Sequence, residues 1–155
     1  MDVSDKSDMK MLSRVTYDNA YYTHQGWLTD DMAHLMLNDE LDESNGPSKN
    51  TRTMLWDVTD LRAPKLVGSH YAEGQAIDHN LYIKGPLGYL ANYCDGLRIL
   101  DSTQMADGRA PEVAYFDMVD YCDEVAFKGA WSNYPYFKSG TIIVSSIELG
   151  LFMLK

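Results

Sequence analysis

Gly96-Leu97-Arg98-Ile99-Leu100-Asp101 has a close copy in the last six residues of the chain, Gly150-Leu151-Phe152-Met153-Leu154-Lys155. A looser copy lies at Thr53-Met54-Leu55-Trp56-Asp57. Each copy comes at the end of the same series of features, in which a polar and aromatic motif is followed by an apolar run and a turn. Repetition at a spacing of some tens of residues is typical of repeat architectures, so this motif decides the fold.

Short apolar runs bounded by Gly, Pro, Asn or Asp predict strands, and these strands group into units of four. Residues 30–41 show brief helical periodicity, but they lie between two strand signals and are not assigned to a helix. The predicted strands are 23–28, 33–38, 52–57 and 65–71 in the first unit, 78–84, 88–94, 97–101 and 112–117 in the second, and 126–133, 140–145 and 149–154 in the third. The chain is therefore predicted to be all-β.

Turn residues fall where these units require them. Ala63-Pro64 and Ala110-Pro111 each precede the last strand of a unit, where a residue without an N–H donor stays outside the hydrogen-bonded ladder. Gly85-Pro86-Leu87-Gly88 predicts a tight hairpin, and residues 41–50 predict a polar loop.

Antiparallel four-stranded units with this repeat are typical of β-propeller blades. We expect one domain, 1–155, with blades at about 18–72, 73–119 and 120–155. The last blade is one strand short. Residues 2–17, in turn, repeat the pattern of an outer strand, since Asp2-Val3-Ser4-Asp5 matches Asp57-Val58-Thr59-Asp60.

Three blades do not close a ring, because propellers have typically about 4–8 blades. The sequence therefore predicts a C2 homodimer with a six-bladed ring, in which residues 10–15 of each copy complete the last blade of the other copy. The alternative is that the chain is part of a longer propeller, in which case unpaired strand edges make it prone to aggregation alone.

The chain has 155 residues and carries 13 Lys and Arg against 23 Asp and Glu, a net charge of −10. This charge argues against nucleic acid or an anionic membrane surface as a partner. No run approaches the roughly 20 apolar residues that span a bilayer, and residues 1–10 lack the apolar part of a secretory signal. For Cys94 and Cys122 free thiols are the expectation, and a single disulfide is the alternative.

Leu97-Arg98-Ile99-Leu100-Asp101 and residues 53–60 resemble LVIVD repeats, a blade motif of secreted bacterial and archaeal propellers. Longer segments resemble one bacterial family of such proteins, the choice-of-anchor B proteins; these segments are 23–31, 38–43, 50–53, 76–85 and 129–137. The similarity extends over nearly the whole chain but covers only the C-terminal half of the family members, which have a signal peptide, earlier blades and a C-terminal anchor. The resemblance implies a secreted or cell-surface propeller and brings no established activity. Since those three features are absent here, the localisation of this chain stays open.

His24, His79 and Ala130 occupy equivalent places in the three units, on the strand expected to be innermost. Two imidazoles that converge near a central channel, with Asp78 beside them, would suit a transition metal ion or an acid–base pair. The alternative is that each histidine binds backbone groups at the inner edge of its blade. Two histidines alone are too few for a closed metal site.

Asp39-Glu40-Leu41-Asp42-Glu43 places four carboxylates in five positions, and oxygen-rich loops of this kind suit Ca²⁺. The spacing does not match the standard calcium loop, so a solvated acidic loop is the preferred interpretation. The metal-ligand candidates, for Ca²⁺ or a transition metal, are His24, His79, Asp39, Glu40 and Asp42.

Six large aromatic residues lie on or near the inner strands: Trp27, Tyr82, Trp131, Tyr134, Tyr136 and Phe137. They either line a ligand-binding mouth or pack between blades, and packing is the preferred interpretation. The ligand-binding candidates are His24, Trp27, Asp78, His79, Asn80, Trp131 and Asn133.

The sequence contains no nucleophile elbow, glycine-rich phosphate loop or HExxH motif. It therefore predicts a binding or scaffold propeller without turnover, of unknown ligand. The alternative is a metal-dependent enzyme or a metal-binding protein that uses the channel histidines.

Overall fold

The computed structural model describes residues 1–155 and contains eleven strands in three antiparallel sheets. The first sheet has the order β1 (Thr23–Leu28), β2 (His34–Asp39), β3 (Asn50–Asp57) and β4 (Lys65–Gln75). The second has the order β5 (Asn80–Lys84), β6 (Leu87–Ala91), β7 (Leu97–Asp101) and β8 (Glu112–Phe116), and the third consists of β9 (Ala130–Tyr134), β10 (Ile142–Ser146) and β11 (Gly150–Leu154). Two short helices, α1 (Asp42–Asn45) and a 3-10 helix (Ser102–Asp107), lie in connections. The all-β prediction is confirmed.

The strand positions follow the sequence pattern closely, and β1 and β7 have the predicted bounds. The largest differences are at β4, which continues to Gln75 because it stays paired with β3, and at β9, which begins only at Ala130. Gly129 precedes β9 with a positive φ of 87°, a conformation that a regular strand does not contain.

The predicted proline turns are also confirmed, whereas the predicted polar loop at residues 41–50 contains the helix α1 and the first residue of β3. β4 and β8 each begin directly after the Ala-Pro pairs at 63–64 and 110–111. Gly85-Pro86 joins β5 to β6, with Lys84 paired to Leu87. The residues that lack an N–H donor therefore lie outside the ladders.

β3 and β7 end in the same side-chain turn. Asp57 Oδ1 accepts hydrogen bonds from the backbone N–H (2.9 Å) and the hydroxyl (2.6 Å) of Thr59. Asp101 Oδ1 accepts the same two bonds from Thr103, at 2.8 and 2.6 Å. The repeat seen in the sequence thus extends to the hydrogen bonds that end the strand.

The first strands of the three sheets lie side by side, since β5 contacts both β1 and β9. Apolar clusters fill the space between consecutive sheets. The cluster between the first and second sheets contains Met36, Leu55, Leu81, Ile83, Leu90, Leu100, Met105 and Ala110. The cluster between the second and third contains Ala76, Ala91, Cys94, Leu97, Met118, Val119, Cys122, Ala130 and Val144. The first strands are therefore held close together by cores on either side of the second sheet.

Cys94 and Cys122 form a disulfide, with their Cα atoms 5.2 Å apart. Both side chains belong to the cluster between the second and third sheets, which brings them together across 28 positions of sequence. The expectation of free thiols is therefore wrong. The bond fixes the long connection between β8 and β9 to the end of the second sheet.

Residues 11–16 form no strand in this chain, and the segment before them has one isolated bridge, between Asp2 and Lys10. Met9 and Met11 are among the exposed apolar side chains of this N-terminal region.

None of the helices is long and apolar enough to cross a membrane.

Candidate functional site

His24 and His79 meet where β1 lies against the start of β5. Their rings are stacked, with centroids 4.6 Å apart and planes inclined by 18°. The indole of Trp131 packs on His79 with a centroid distance of 4.4 Å. The sequence-based prediction that the two histidines converge is confirmed. The third ring of this stack belongs to Trp131. Ala130, the position that the sequence analysis aligned with the two histidines, is buried and forms a β-bridge with Tyr93.

The backbone contacts of the histidines favour one protonation pattern. His24 Nδ1 lies 3.3 Å from the carbonyl oxygen of His79, and His79 Nδ1 lies 2.5 Å from that of Trp131. Because a carbonyl oxygen only accepts hydrogen bonds, these contacts favour the tautomer with the proton on Nδ1, although Asn80 Nδ2, itself a donor, also lies 2.8 Å from His79 Nδ1. Asn80 Nδ2 donates to the same carbonyl of Trp131, at 3.0 Å. In that tautomer the Nε2 atom of a neutral ring keeps a free lone pair.

Both Nε2 atoms face the carboxylate of Glu40, which follows β2. Glu40 Oε1 lies 3.4 Å from His79 Nε2, and Oε2 lies 3.9 Å from His24 Nε2. The hydroxyl of Tyr93 donates to Glu40 Oε1 at 2.8 Å. The cluster of His24, Glu40 and His79 offers two nitrogen atoms and one oxygen atom, all within 4.8 Å of one another. Two imidazoles and a carboxylate form a donor set that transition metals favour.

Burial sets the charge states around this cluster. The side chain of His79 is 4% exposed, and its burial lowers its pKa, so the ring is neutral. Burial, followed by the hydrogen bond to Glu40, raises the pKa of Tyr93, so its hydroxyl keeps the proton that it donates. Tyr93 was not among the sequence-based candidates.

The acidic segment after β2 is not a solvated loop, and that preferred interpretation is wrong. Asp39, Asp42 and Glu43 are buried, and Glu40 faces the histidines. Asp39 accepts hydrogen bonds from the backbone N–H groups of Tyr21 and Tyr22, at 2.7 and 2.6 Å, which fix the chain entering β1. The short helix α1 contacts β3 and turns its first residues inward. The four acids therefore have different surroundings despite being neighbours in sequence.

Asp42, Glu43 and Asp78 form a second, fully buried cluster, with one oxygen of each within 4.8 Å of the others. Asp42 pairs with Arg52, whose Nη2 lies 2.7 Å from Oδ2. Burial, together with the charges of Asp78 and Asp42, raises the pKa of Glu43 to about 10. Burial raises the pKa of Asp78 well above its usual range. Asp78 thus belongs to this cluster and not to the histidine site, and Glu43 was missed as a candidate.

The remaining candidates mainly hold neighbouring sheets together. Trp27 packs against Tyr82, with centroids 4.9 Å apart in a T-shaped pair, and Tyr136 donates its hydroxyl to the carbonyl of Ile83. Gln25 Nε2 donates to the carbonyl of Leu81 at 2.9 Å, and Asn133 Nδ2 donates to that of Tyr89 at 3.1 Å. Packing is therefore the role of Trp27, Tyr82 and Tyr136. Trp131, Tyr134 and Phe137 remain exposed.

Comparison with protein-family models and with curated proteins finds no match for this chain.

Proposed function

We propose that this chain is a metal-binding module of a β-propeller, in which each of its three sheets is one blade and His24, Glu40 and His79 hold a divalent transition metal ion. The consecutive strand order within each sheet and the adjacent first strands support the blade arrangement. The resemblance to LVIVD repeats supports the same fold. Through the choice-of-anchor B family it also suggests a secreted or cell-surface protein, and a disulfide suits such an oxidising environment.

The observation that carries the metal site is the direction of the two imidazoles. Both Nδ1 atoms lie against backbone carbonyls and both Nε2 atoms face the oxygens of Glu40, so the tautomer that these contacts favour directs both Nε2 lone pairs at the carboxylate. Lone pairs that face one another at 3.4 and 3.9 Å repel, unless a proton or a cation lies between them. A proton on His79 is disfavoured by burial, whereas a divalent ion would bind all three groups at once.

The surroundings of the three ligands match those of metal sites in general. A histidine that binds a metal through one nitrogen usually donates its other N–H to a carbonyl or carboxylate, which fixes the ring. Here the carbonyls of His79 and Trp131 have that role, and the hydroxyl of Tyr93 fixes Glu40. Three protein ligands leave a coordination position for an outside ligand. We propose binding rather than turnover, and a metal-dependent enzyme that uses the same three residues is the alternative.

The test is titration of the purified full-length chain with Co²⁺ and Zn²⁺ after treatment with a chelator. One equivalent should bind per chain, and binding should be lost in His24→Ala and in His79→Ala. Tyr93→Phe should retain the stoichiometry with an affinity about 10–100-fold lower, because it removes only the hydrogen bond to Glu40. The matched control is His34→Ala, which changes a histidine on β2 outside the cluster. Equal binding by all histidine variants, or no binding by the wild type, would leave only the scaffold proposal.

We further propose that the chain functions as a six-bladed homodimer. The third sheet has three strands, and its edge strand β11 exposes Leu151 to 60% and Met153 to 72%. The hydrogen bonds of the N-terminal segment support the proposal that it supplies the missing strand. Asp2 and Asp5 accept backbone hydrogen bonds from residues two positions later, as do Asp57 and Asp60 at the entry to β4.

The expected mass in solution is twice the 17.6 kDa of one chain. Removal of residues 1–16, or Met153→Asp on β11, should produce monomers or aggregates, which light scattering after gel filtration would measure. The matched control is Val113→Asp, because Val113 is also exposed on an outer strand but belongs to a complete sheet. A monomeric wild type would instead favour the alternative, in which the chain is part of a longer propeller.

A further inference from the structure

The buried acids beneath α1 form a second cluster that the histidine site does not use. Glu43 and Asp78 are both 0% exposed, and Asp42 is 6% exposed. One carboxylate oxygen of each lies within 4.8 Å of the others. Three acids from two separate parts of the chain are thus enclosed together, away from solvent.

Two oxygens in this cluster have no hydrogen-bond partner. Glu43 Oε1 accepts the backbone N–H of Arg52 at 3.2 Å, whereas Oε2 is buried and unpartnered. Asp78 Oδ2 accepts Asn38 Nδ2 at 2.7 Å, whereas Oδ1 is buried and unpartnered. Buried polar atoms without a partner are rare in proteins, and each calls for an explanation such as a bound ion.

The charges are also unbalanced. The guanidinium of Arg52 pairs with Asp42, and Lys49 Nζ donates to the backbone carbonyl of Glu43 at 2.7 Å and not to a carboxylate. Glu43 and Asp78 therefore have no opposite charge in contact. Without a cation, the cost of burying these charges raises the pKa of both groups, so that they take up protons; a bound cation would compensate the two carboxylates in place of those protons.

The donor atoms identify the kind of cation. All three ligands offer oxygen, which is the preference of hard cations, and no nitrogen or sulfur donor belongs to the cluster. Mg²⁺ retains several waters in most protein sites, and a site as enclosed as this one leaves little room for them. Ca²⁺ accepts bidentate carboxylates and irregular geometry, which suits three acids on a short helix and a strand approach.

We propose that Asp42, Glu43 and Asp78 bind a calcium ion that ties α1 to the segment leading into β5. This site lies beside the proposed transition-metal site but shares no ligand with it, and it does not depend on that proposal. Its role is structural, because the acids have no exposed position for an outside ligand.

The test uses the chelator-treated full-length chain and measures its melting temperature against Ca²⁺ concentration, with isothermal titration for stoichiometry. At about 100 times the dissociation constant, Ca²⁺ should raise the melting temperature by about 5–10 °C. Asp78→Asn and Glu43→Gln should each weaken binding at least about 10-fold, because each removes one charged ligand. Asp107→Asn makes the same charge change at an exposed acid and should respond like the wild type.

The variant His24→Ala should keep the full calcium response, which separates this proposal from the transition-metal site. No calcium-dependent shift in the wild type would overturn the proposal. So would an equal shift in Asp78→Asn and Glu43→Gln, or a larger shift with Mg²⁺ than with Ca²⁺. If both neutral variants melt higher than the wild type and Ca²⁺ has no effect, the acids are a protonated pair and not a cation site.

Discussion

Replacement of both Cys94 and Cys122 by alanine should lower the free energy of unfolding by about 3.5 kcal/mol. The disulfide closes a loop of 28 positions, and the loss of conformational entropy in the unfolded chain accounts for an effect of about this size. For a chain of this length the melting temperature should fall by about 7–14 °C. The loop contains β7, β8 and the first part of the connection to β9, so the variant should lose stability across the second and third sheets. Urea unfolding followed by circular dichroism measures the change.

Reduction supplies the control for this prediction. With dithiothreitol the wild type should approach the stability of the double alanine variant, and the variant itself should not respond. A wild type that is unaffected by the reductant would contradict the pairing of the two cysteines. Since both residues lie in an apolar cluster, alanine is the better replacement, because serine would bury an unpaired hydroxyl.

Gly129→Ala should destabilise the protein by about 3 kcal/mol. Gly129 has φ +87°, where an alanine costs about 1–2 kcal/mol in backbone strain. Its Cβ would also lie 2.5 Å from the carbonyl oxygen of Tyr93 and 2.8 Å from Val119 Cγ2, and crowding of this kind costs about 1–3 kcal/mol. The carbonyl of Tyr93 accepts the N–H of Ala130, so relief of the clash would break the bridge between the second and third sheets. Chemical unfolding measures the loss.

Gly140→Ala is the matched control, because Gly140 has φ +78° but no atom within 4 Å of the added Cβ. It should cost only the backbone strain, about 1–2 kcal/mol. The difference between the two variants isolates the contact with Tyr93. An equal loss of stability in the two variants would contradict the close approach of Gly129 to the backbone of Tyr93.

The fold was largely predictable because its signals are local. Alternation of apolar residues, the Ala-Pro pairs and Gly85-Pro86 act within a few residues, and they place strands and turns directly. The bounds of β9 were less predictable, since they depend on the positive φ of Gly129, which the sequence does not distinguish from any other glycine conformation.

The candidate site was predictable only in part, because bulges redirect its side chains. The pairing of β1 with β2 passes from Thr23–Asp39 to Gln25–Asn38, which leaves His24 as an extra residue. The pairing of β9 with β10 passes from Ala130–Ser146 to Ser132–Ser145, which leaves Trp131 as an extra residue. Counting residues between the units therefore aligned Ala130 with the two histidines. In the structure the bulge directs Trp131 toward His79 instead.

The roles of the acidic residues and of Tyr93 depend on long-range contacts. Glu40 faces the histidines and Glu43 faces Asp78. Both belong to one run of acidic residues, so the sequence does not distinguish their roles. Tyr93 adopts a positive φ of 38° in the turn between β6 and β7, and nothing in its neighbourhood in the sequence connects it to Glu40. Such contacts follow only from the packing of different sheets.

The side chains that reach the carbonyls of β5 have a consequence for how the protein associates. β5 is the first strand of its sheet, so the carbonyls of Leu81 and Ile83 lie on an edge without a neighbouring strand. Gln25 and Tyr136 occupy these acceptors, one from each flanking sheet. An extended peptide that added to this edge would have to compete with Gln25 and Tyr136 for these acceptors, so misassembly by strand addition should begin at the opposite edges of the sheets, β4, β8 and β11.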